Sequence, residues 1–562
     1  MKRLPQLAAA AALLVAATVV FSPLAAALLG TGLKWDALAE ALQGIAAPLH
    51  RSAGLALASA VVALVLGVPF ALLVDRSHPW VRRTLWAAGL LVFIVPPYIV
   101  AQAWIVLLGP AGKLSRPIAT LLGLGPNSTD PIAIARFTVP GFVYTWPAAG
   151  MVLGACFFPI VALATASALR RTDRRIFESA RIAQGTRGVW TIGAHVLVPP
   201  ALGAALLVFA VTLTEFAVPQ LLRVRTVGEA VYERIQEGDL ATAAALGLPL
   251  LPLVLIAGAL GAFLLLRSRV ASLASLEGEV PRFTGRDAGR LGDLSAAVMT
   301  LLAVGPGLMF PVVSLLWLAV TAHAPHASAM GTHKVLRASG FLESLQGAWD
   351  LARDDAIRTV LLAGLAATLA TVFAVALARL ASNAHCGKLL GGLGAGLAVP
   401  GPIVGLGLIT LWNNAWGIAV YQSVAIVLLA WLARFLPMAI FLAQGALARV
   451  PRELESAAAL AGRGPLARIF SVVLPNAAPG LAAAWLAMYI LSATEFGATL
   501  LVAPPGSPLL APSVVNLMRR GQDSEIAACQ ILLLAVIALP LVPLALAAVL
   551  RSRGWFFRKS LR

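Results

Sequence analysis

Two carboxylates stand inside otherwise apolar stretches of this 562-residue chain: Glu215 in Thr214-Glu215-Phe216 and Glu495 in Thr494-Glu495-Phe496. A carboxylate among apolar side chains is costly unless it faces a cavity or a partner. Its chemistry is then that of a proton carrier or a cation ligand. Each lies about 15 residues past the cytoplasmic start of its apolar run, roughly 22 Å along a helix rising 1.5 Å per residue. The pair is therefore read as lining one end of a pathway and attracting a cation. The plainer alternative is a helix-end carboxylate bonded to backbone or to a threonine hydroxyl. Arg434 is the basic residue inside an apolar stretch, and it is expected to snorkel toward Arg449 rather than pair with a glutamate.

Other chemistry is sparse. No G-x-x-x-x-G-K-[ST] occurs, since Gly387-Lys388 is followed by Leu389 and lacks the upstream glycine. None of the seven histidines begins an H-E-x-x-H. His385-Cys386 is an isolated pair on a short loop and reads as structural. The three cysteines (Cys156, Cys386, Cys529) form neither a C-x-x-C nor a disulfide framework. No catalytic residue, metal site or cofactor is expected on this chain.

The elements that must position the two carboxylates are set by composition. Apolar residues make up 60% of the chain, charged residues only 12%, and the mean hydropathy is +0.89. A soluble domain is about 45–50% apolar and about a quarter charged. Continuous apolar runs near 7–29, 53–74, 84–108, 143–169, 200–221, 241–266, 295–322, 359–377, 389–412, 418–447, 479–502 and 527–550 are each read as a membrane-crossing helix. The fold class is all-α: a polytopic membrane protein of about twelve spans. The first run comes after Met1-Lys2-Arg3 and is read as an uncleaved helix rather than a secretory signal.

The net charge of +18 resembles that of a nucleic-acid binder only until its location is considered. With the N-terminus in the cytoplasm, 27 of the 42 Lys and Arg fall on cytoplasmic segments. The basicity then reads as the positive-inside imprint of topology, with both termini cytoplasmic and a bilayer, not nucleic acid, as the partner.

The chain is also internally duplicated. Phe177-Glu178-Ser179-Ala180 with Gly185 and Val198-Pro199 is matched by Leu454-Glu455-Ser456-Ala457 with Gly462 and Leu474-Pro475. Phe158-Pro159 corresponds to Leu436-Pro437, and the Thr-Glu-Phe triplets and Val95-Pro96 with Val399-Pro400 correspond likewise. The division is a first module at 1–266, a linker at 267–294 and a second module at 295–562. The modules are parallel repeats of six helices each. Pro96, Pro97, Pro400 and Pro402 are expected to break their helices.

The repeated segments, 170–198 and 448–474, are amphipathic, with small residues at the centre and arginines at the start (Arg170, Arg171, Arg174 and Arg175; Arg449 and Arg452). Small residues admit a close-packed partner, and glycine permits a sharp turn. Both segments resemble the Glu-Ala-Ala loop of binding-protein-dependent ABC-importer permeases, of the tandem-fused type similar to ferric iron permeases. The resemblance implies that Glu178, Ser179, Ala180, Gly185, Glu455, Ser456, Ala457 and Gly462 couple this chain to ATPase subunits. The family places glycine six residues after glutamate. The first loop has Gln184 there, and in the second Gly462 fits best with Ser456 in the glutamate slot, so the first loop is expected to couple more weakly.

The resemblance implies a non-enzymatic permease in a bacterial inner membrane. It would work with two copies of a cytoplasmic ATP-binding subunit and a periplasmic substrate-binding protein. Ferric iron is the expected cargo, with thiamine, phosphonate or another small polar solute as alternatives. A proton-coupled secondary transporter using Glu215 and Glu495 is the competing class. A multi-pass membrane enzyme would need a polar catalytic cluster at one membrane face, and the sequence offers none.

Overall fold

In hydrocarbon no water satisfies a backbone N–H or C=O, so a long apolar run must close its hydrogen bonds within itself as a helix. The computed structural model of the chain describes residues 3–29, 35–109, 114–115, 139–268, 289–320, 338–380, 393–520 and 524–543. Those residues are mostly helical, with no strand among them. Most of the linker (269–288) and His385-Cys386 lie outside them.

The first half contains α1 (Arg3–Leu29), α2 (Ala46–Val74), α3 (Pro79–Leu91), α4 (Pro97–Leu108), α5 (Trp146–Arg171), α6 (Arg174–Leu213), α7 (Ala217–Leu221), α8 (Val227–Gln236) and α9 (Leu250–Arg267). The second contains α10 (Gly289–Val304), α11 (Phe310–Val320), α12 (Ala338–Leu380), α13 (Gly401–Trp412), α14 (Ala425–Leu447), α15 (Arg452–Leu460), α16 (Leu474–Ala493), α17 (Leu510–Arg520) and α18 (Ser524–Ala538). Other short connecting helices are left unlabelled.

Nine helices among the described residues are long and apolar enough to cross a membrane. A tenth span is broken, with Pro79–Ile94 and Pro97–Leu108 meeting at 94°. The remaining two apolar stretches are the shorter helices α13, of 12 residues, and α18, of 15. The run 389–412 is thus not one helix. Val399 and Pro400 are extended (ψ 118° and 146°), as Val95 and Pro96 are in the first half (ψ 116° and 138°). A proline removes the N–H of the helical ladder and pushes the preceding residue out of the helical region.

In the first half α2, α5, α6 and α9 pack as one bundle; α12, α14, α16 and α18 form its counterpart. Lipid is as apolar as leucine, so helices gain from associating there mainly by close packing. The α2–α5 seam shows how. A Cβ on Gly67, Gly150 or Gly154 would stand 2.7–2.8 Å from a facing backbone oxygen, that of Phe158, Leu55 or Ser59. Large apolar side chains such as Leu255, Ile256 and Phe263 on α9 point outward, where acyl chains would cover them.

The first helices of the halves are exchanged. α1 leaves its own bundle to pack on α13, α14 and α12, while α10 packs on α2 and α3, and α11 bridges α4 of the first half and α18 and α12 of its own. Trp104 of α4 donates its indole N–H to the Pro306 carbonyl at 3.3 Å. That carbonyl belongs to the π-helical turn Gly305–Met309 joining α10 to α11. Pro306 supplies no N–H to the regular ladder, so the turn widens there. At the α1–α13 crossing, a Cβ on Gly407 would run into the backbone of Pro23. Gly407→Val is therefore expected to lower stability by about 1–3 kcal/mol through overpacking, read as a fall of several degrees in melting temperature in detergent. Unchanged melting would contradict this seating of α1.

Candidate functional site

Two sets of expected residues lie at opposite ends of the helices α6 and α16. At one end are the repeated amphipathic segments. α6 starts at Asp173, whose carboxylate caps the helix by accepting from the Arg175 N–H at 2.9 Å. The helix is interrupted at Gly185, with φ 62° and ψ −142°. In the second half α15 ends and Gly462 turns the chain with φ 76°. Both glycines occupy the left-handed region that disfavours a Cβ. Glu178, Ser179, Gly185, Ser456, Ala457 and Gly462 are exposed, while Ala180 and Glu455 are half-buried. Glu455 pairs with Arg379 at the end of α12, at 2.8 Å.

The segments also present large apolar side chains that spacing did not single out. Ile182 is 88% exposed and Leu460 91%, and Trp190, Leu466 and Phe470 stand out beside them. Their signal in the sequence is a large apolar side chain within a segment that also carries several arginines. Arg170, at the start of the first segment, turns inward, its side chain 8% exposed. Its guanidinium meets Asp75 at the end of α2 through two contacts, 3.0 and 3.3 Å, and Trp86 donates to the same carboxylate at 2.8 Å. A buried arginine must be paired in this way.

The Thr-Glu-Phe triplets occupy the other end. α6 and α16 stop at Leu213 and Ala493, and Thr214 and Thr494 each bond back to the preceding turn. The chain then breaks, and Phe216 of one half stacks on Phe496 of the other. Their ring centroids are 5.7 Å apart and their planes 13° from parallel. The duplicated motif therefore meets itself at the interface between the halves.

The two carboxylates differ sharply. Glu495 is almost wholly buried and paired with Arg434 at 2.6 Å. Arg434 does not snorkel toward Arg449, because a partner lies within reach across 61 residues of sequence. Glu495 also accepts the Ala498 N–H at 2.9 Å, the Thr499 N–H at 2.8 Å and the Thr499 hydroxyl. That hydroxyl accepts in turn from the Trp431 indole at 2.9 Å. Glu215 accepts only backbone N–H groups, those of Ala217 at 3.1 Å and Val218. No salt bridge reaches it among the described residues, although Arg434 lies within electrostatic range.

The duplication explains the difference. Aligning Pro159 with Pro437 sets Cys156 opposite Arg434 and Leu153 opposite Trp431. Aligning Glu215 with Glu495 sets Pro219 opposite Thr499. The side-chain partners of Glu495, and the indole behind them, have thus been replaced in the first half by residues that cannot donate well, while the backbone N–H at Ala498 keeps its counterpart at Val218. Glu215 keeps accessible surface despite its depth, and the buried Tyr98 hydroxyl, within electrostatic reach of both carboxylates, has no hydrogen-bond partner among the described residues.

The class these features define is the polytopic, all-helical membrane protein. Among known proteins the chain is similar to permease subunits of transport systems. It is 29% identical over 147 residues to the putative 2-aminoethylphosphonate transport system permease protein PhnV of Salmonella typhimurium, a match covering 26% of this chain and 55% of that protein. It is 28% identical over 204 residues to the putrescine transport system permease protein PotI of Escherichia coli, covering 34% of this chain and 72% of that one. The chain spans about half the length of the first of these relatives. It matches no protein-family model.

Proposed function

We propose that this chain is the membrane permease of an ABC importer in a bacterial inner membrane. In this reading its two modules, 1–266 and 295–562, together enclose the pathway. The observation that carries it is the pair of exposed segments with left-handed Gly185 and Gly462 and protruding Ile182 and Leu460. One protruding apolar side chain just before each of the two glycines, on a charged face, suits two copies of one partner, here a cytoplasmic ATP-binding subunit. Similarity to two transport-system permeases supports the same reading. A periplasmic binding protein would deliver solute to the opposite face, and both termini would be cytoplasmic.

The stacked Phe216–Phe496 pair is placed as the closure of the pathway, with Glu215 lining it. Glu495 is reassigned to holding the closure together, since Arg434 neutralises it. That weakens the electrostatic case for a bare ferric ion, which rested on two available carboxylates. The relatives are named for 2-aminoethylphosphonate and putrescine, both small charged organic solutes, and a solute of that kind is the preferred cargo.

The test is reconstitution into proteoliposomes with the ATPase and binding protein encoded beside this chain. Accumulation of solute that requires ATP is the expected result. Uptake driven by a proton gradient without the ATPase would overturn the reading in favour of a secondary transporter. For the cargo, a deletion strain should lose growth on an organic phosphonate or amine. Failure only under iron limitation would reinstate ferric iron.

A further inference from the structure

At the end of the molecule opposite the repeated loops, a cavity of about 560 Å³ opens between α4, α7 and α8 of the first half and α17 of the second. That volume suits a small molecule, and the lining is largely polar, with three arginines against Glu229 and Glu233. Arg223, Arg225 and Arg519 reach it, as do Gln102, Gln220 and Glu229. Arg225 is already paired with Glu233, at 2.8 Å. Arg223 and Arg519 have no carboxylate within ion-pair distance among the described residues.

Two features mark this as a built site. Gln220 is only 6% exposed, yet neither its amide oxygen nor its amide nitrogen has a partner among the described residues. A buried primary amide without partners is costly, and a ligand in this cavity would satisfy it. Arg223 is the only non-glycine residue with positive φ among the described residues, at 54°. It closes α7: its N–H bonds the Gln220 carbonyl and the Val224 N–H bonds the Pro219 carbonyl, at 3.2 and 2.8 Å. Glycine is the usual residue at such a helix end. An arginine there accepts backbone strain while placing its guanidinium at the cavity.

The charge pattern selects the ligand. Three arginines outnumber two glutamates, so the wall is net positive, and burial pushes the Glu229 carboxyl up to about 7, which lowers its negative charge further. Arg519 lies close enough to temper that shift without forming an ion pair. Both line the cavity, so a ligand there can be anionic toward the arginines and cationic toward Glu229.

We infer that this cavity is a solute site for a small anion or zwitterion. Its anionic group would be held by Arg223 and Arg519 and its polar atoms by Gln220. The inference deepens the importer reading and rests on it, since it names the class of cargo. A polyamine or a bare ferric ion would meet two unpaired guanidinium groups of its own charge sign. Because α17 comes from the second half, relative movement of the halves would open or dismantle the site.

The test is isothermal titration of the full chain in nanodiscs with 2-aminoethylphosphonate, inorganic phosphate and putrescine. Saturable binding of 2-aminoethylphosphonate is expected, with phosphate weaker and putrescine silent. Arg519→Glu should weaken binding at least tenfold, and Gln220→Leu about tenfold. Arg223→Gly should weaken binding while raising the melting temperature, an opposition that a misfolded variant would not show. Putrescine binding as tightly as the anions, no binding of any anion, or indifference to both Arg519→Glu and Gln220→Leu would overturn the proposal. ATP-driven uptake separates the two readings. Its absence alongside intact, Arg519-dependent binding sinks the importer and leaves the site. Its presence alongside Arg519-independent binding sinks the site and leaves the importer.

Discussion

Removing the carboxylate of Glu495 should destabilise the protein by about 3–5 kcal/mol, the range for breaking a buried ion pair from one side. Glu495→Ala strands Arg434, whose side chain is 16% exposed against 1% for Glu495. It also deprives the N–H groups of Ala498 and Thr499 and the Thr499 hydroxyl of their acceptor. Most of the loss comes from the stranded charge and not from the net value of the pair. The double variant Arg434→Met with Glu495→Ala should therefore recover much of it. Glu215→Ala provides the comparison. It removes an acceptor from two backbone N–H groups and leaves no cation unpaired, so about 1 kcal/mol is expected. Thermal melting of the four proteins in one detergent decides the matter. Equal losses for Glu215→Ala and Glu495→Ala would show that the asymmetry between the halves carries no energetic weight.

Gly462→Val should abolish or reduce transport at least tenfold while leaving the protein folded in the membrane. No atom lies within 4 Å of where its Cβ would be, so packing does not oppose the change. The backbone does, because φ 76° costs a side-chain-bearing residue roughly 1–2 kcal/mol, and a β-branched one suffers most. The turn relaxes, α15 takes a new direction, and Leu460 no longer points where a docked partner would meet it. Gly462→Asn is the control, since asparagine tolerates the left-handed region and should restore most transport. Gly185→Val should cost less transport if the first loop couples more weakly. Transport unchanged by Gly462→Val, with the variant present at normal level, would sink the coupling role.

Much of this architecture was legible in the sequence, for reasons that are physical. Membrane spans announce themselves because an apolar run in lipid has few alternatives to a helix, and the breaks at Val95-Pro96 and Val399-Pro400 arise from proline's missing N–H. The segments around Gly185 and Gly462 were visible because the duplication repeated them. What a one-dimensional reading could not supply was which helix lies beside which. Arg434 looked free to snorkel because Glu495 is 61 residues away, and nothing local joined Arg170 to Asp75, 95 residues away. The exchange of α1 and α10 leaves no local mark at all. The unequal surroundings of Glu215 and Glu495 were within reach, however. Setting Cys156 against Arg434 and Pro219 against Thr499 in the repeat shows that the partners of one carboxylate are missing from the other.

The exchanged first helices change what the covalent join between the halves accomplishes. Each half already clasps the other through a borrowed helix, α1 on α13 and α10 on α2, so cohesion does not depend on a tether. Fidelity does. Two second halves assembled together would bring two arginine–glutamate pairs to one interface, and two first halves would bring none. A single polypeptide guarantees that every assembly contains one of each, and so preserves the inequality at the junction of Phe216 and Phe496.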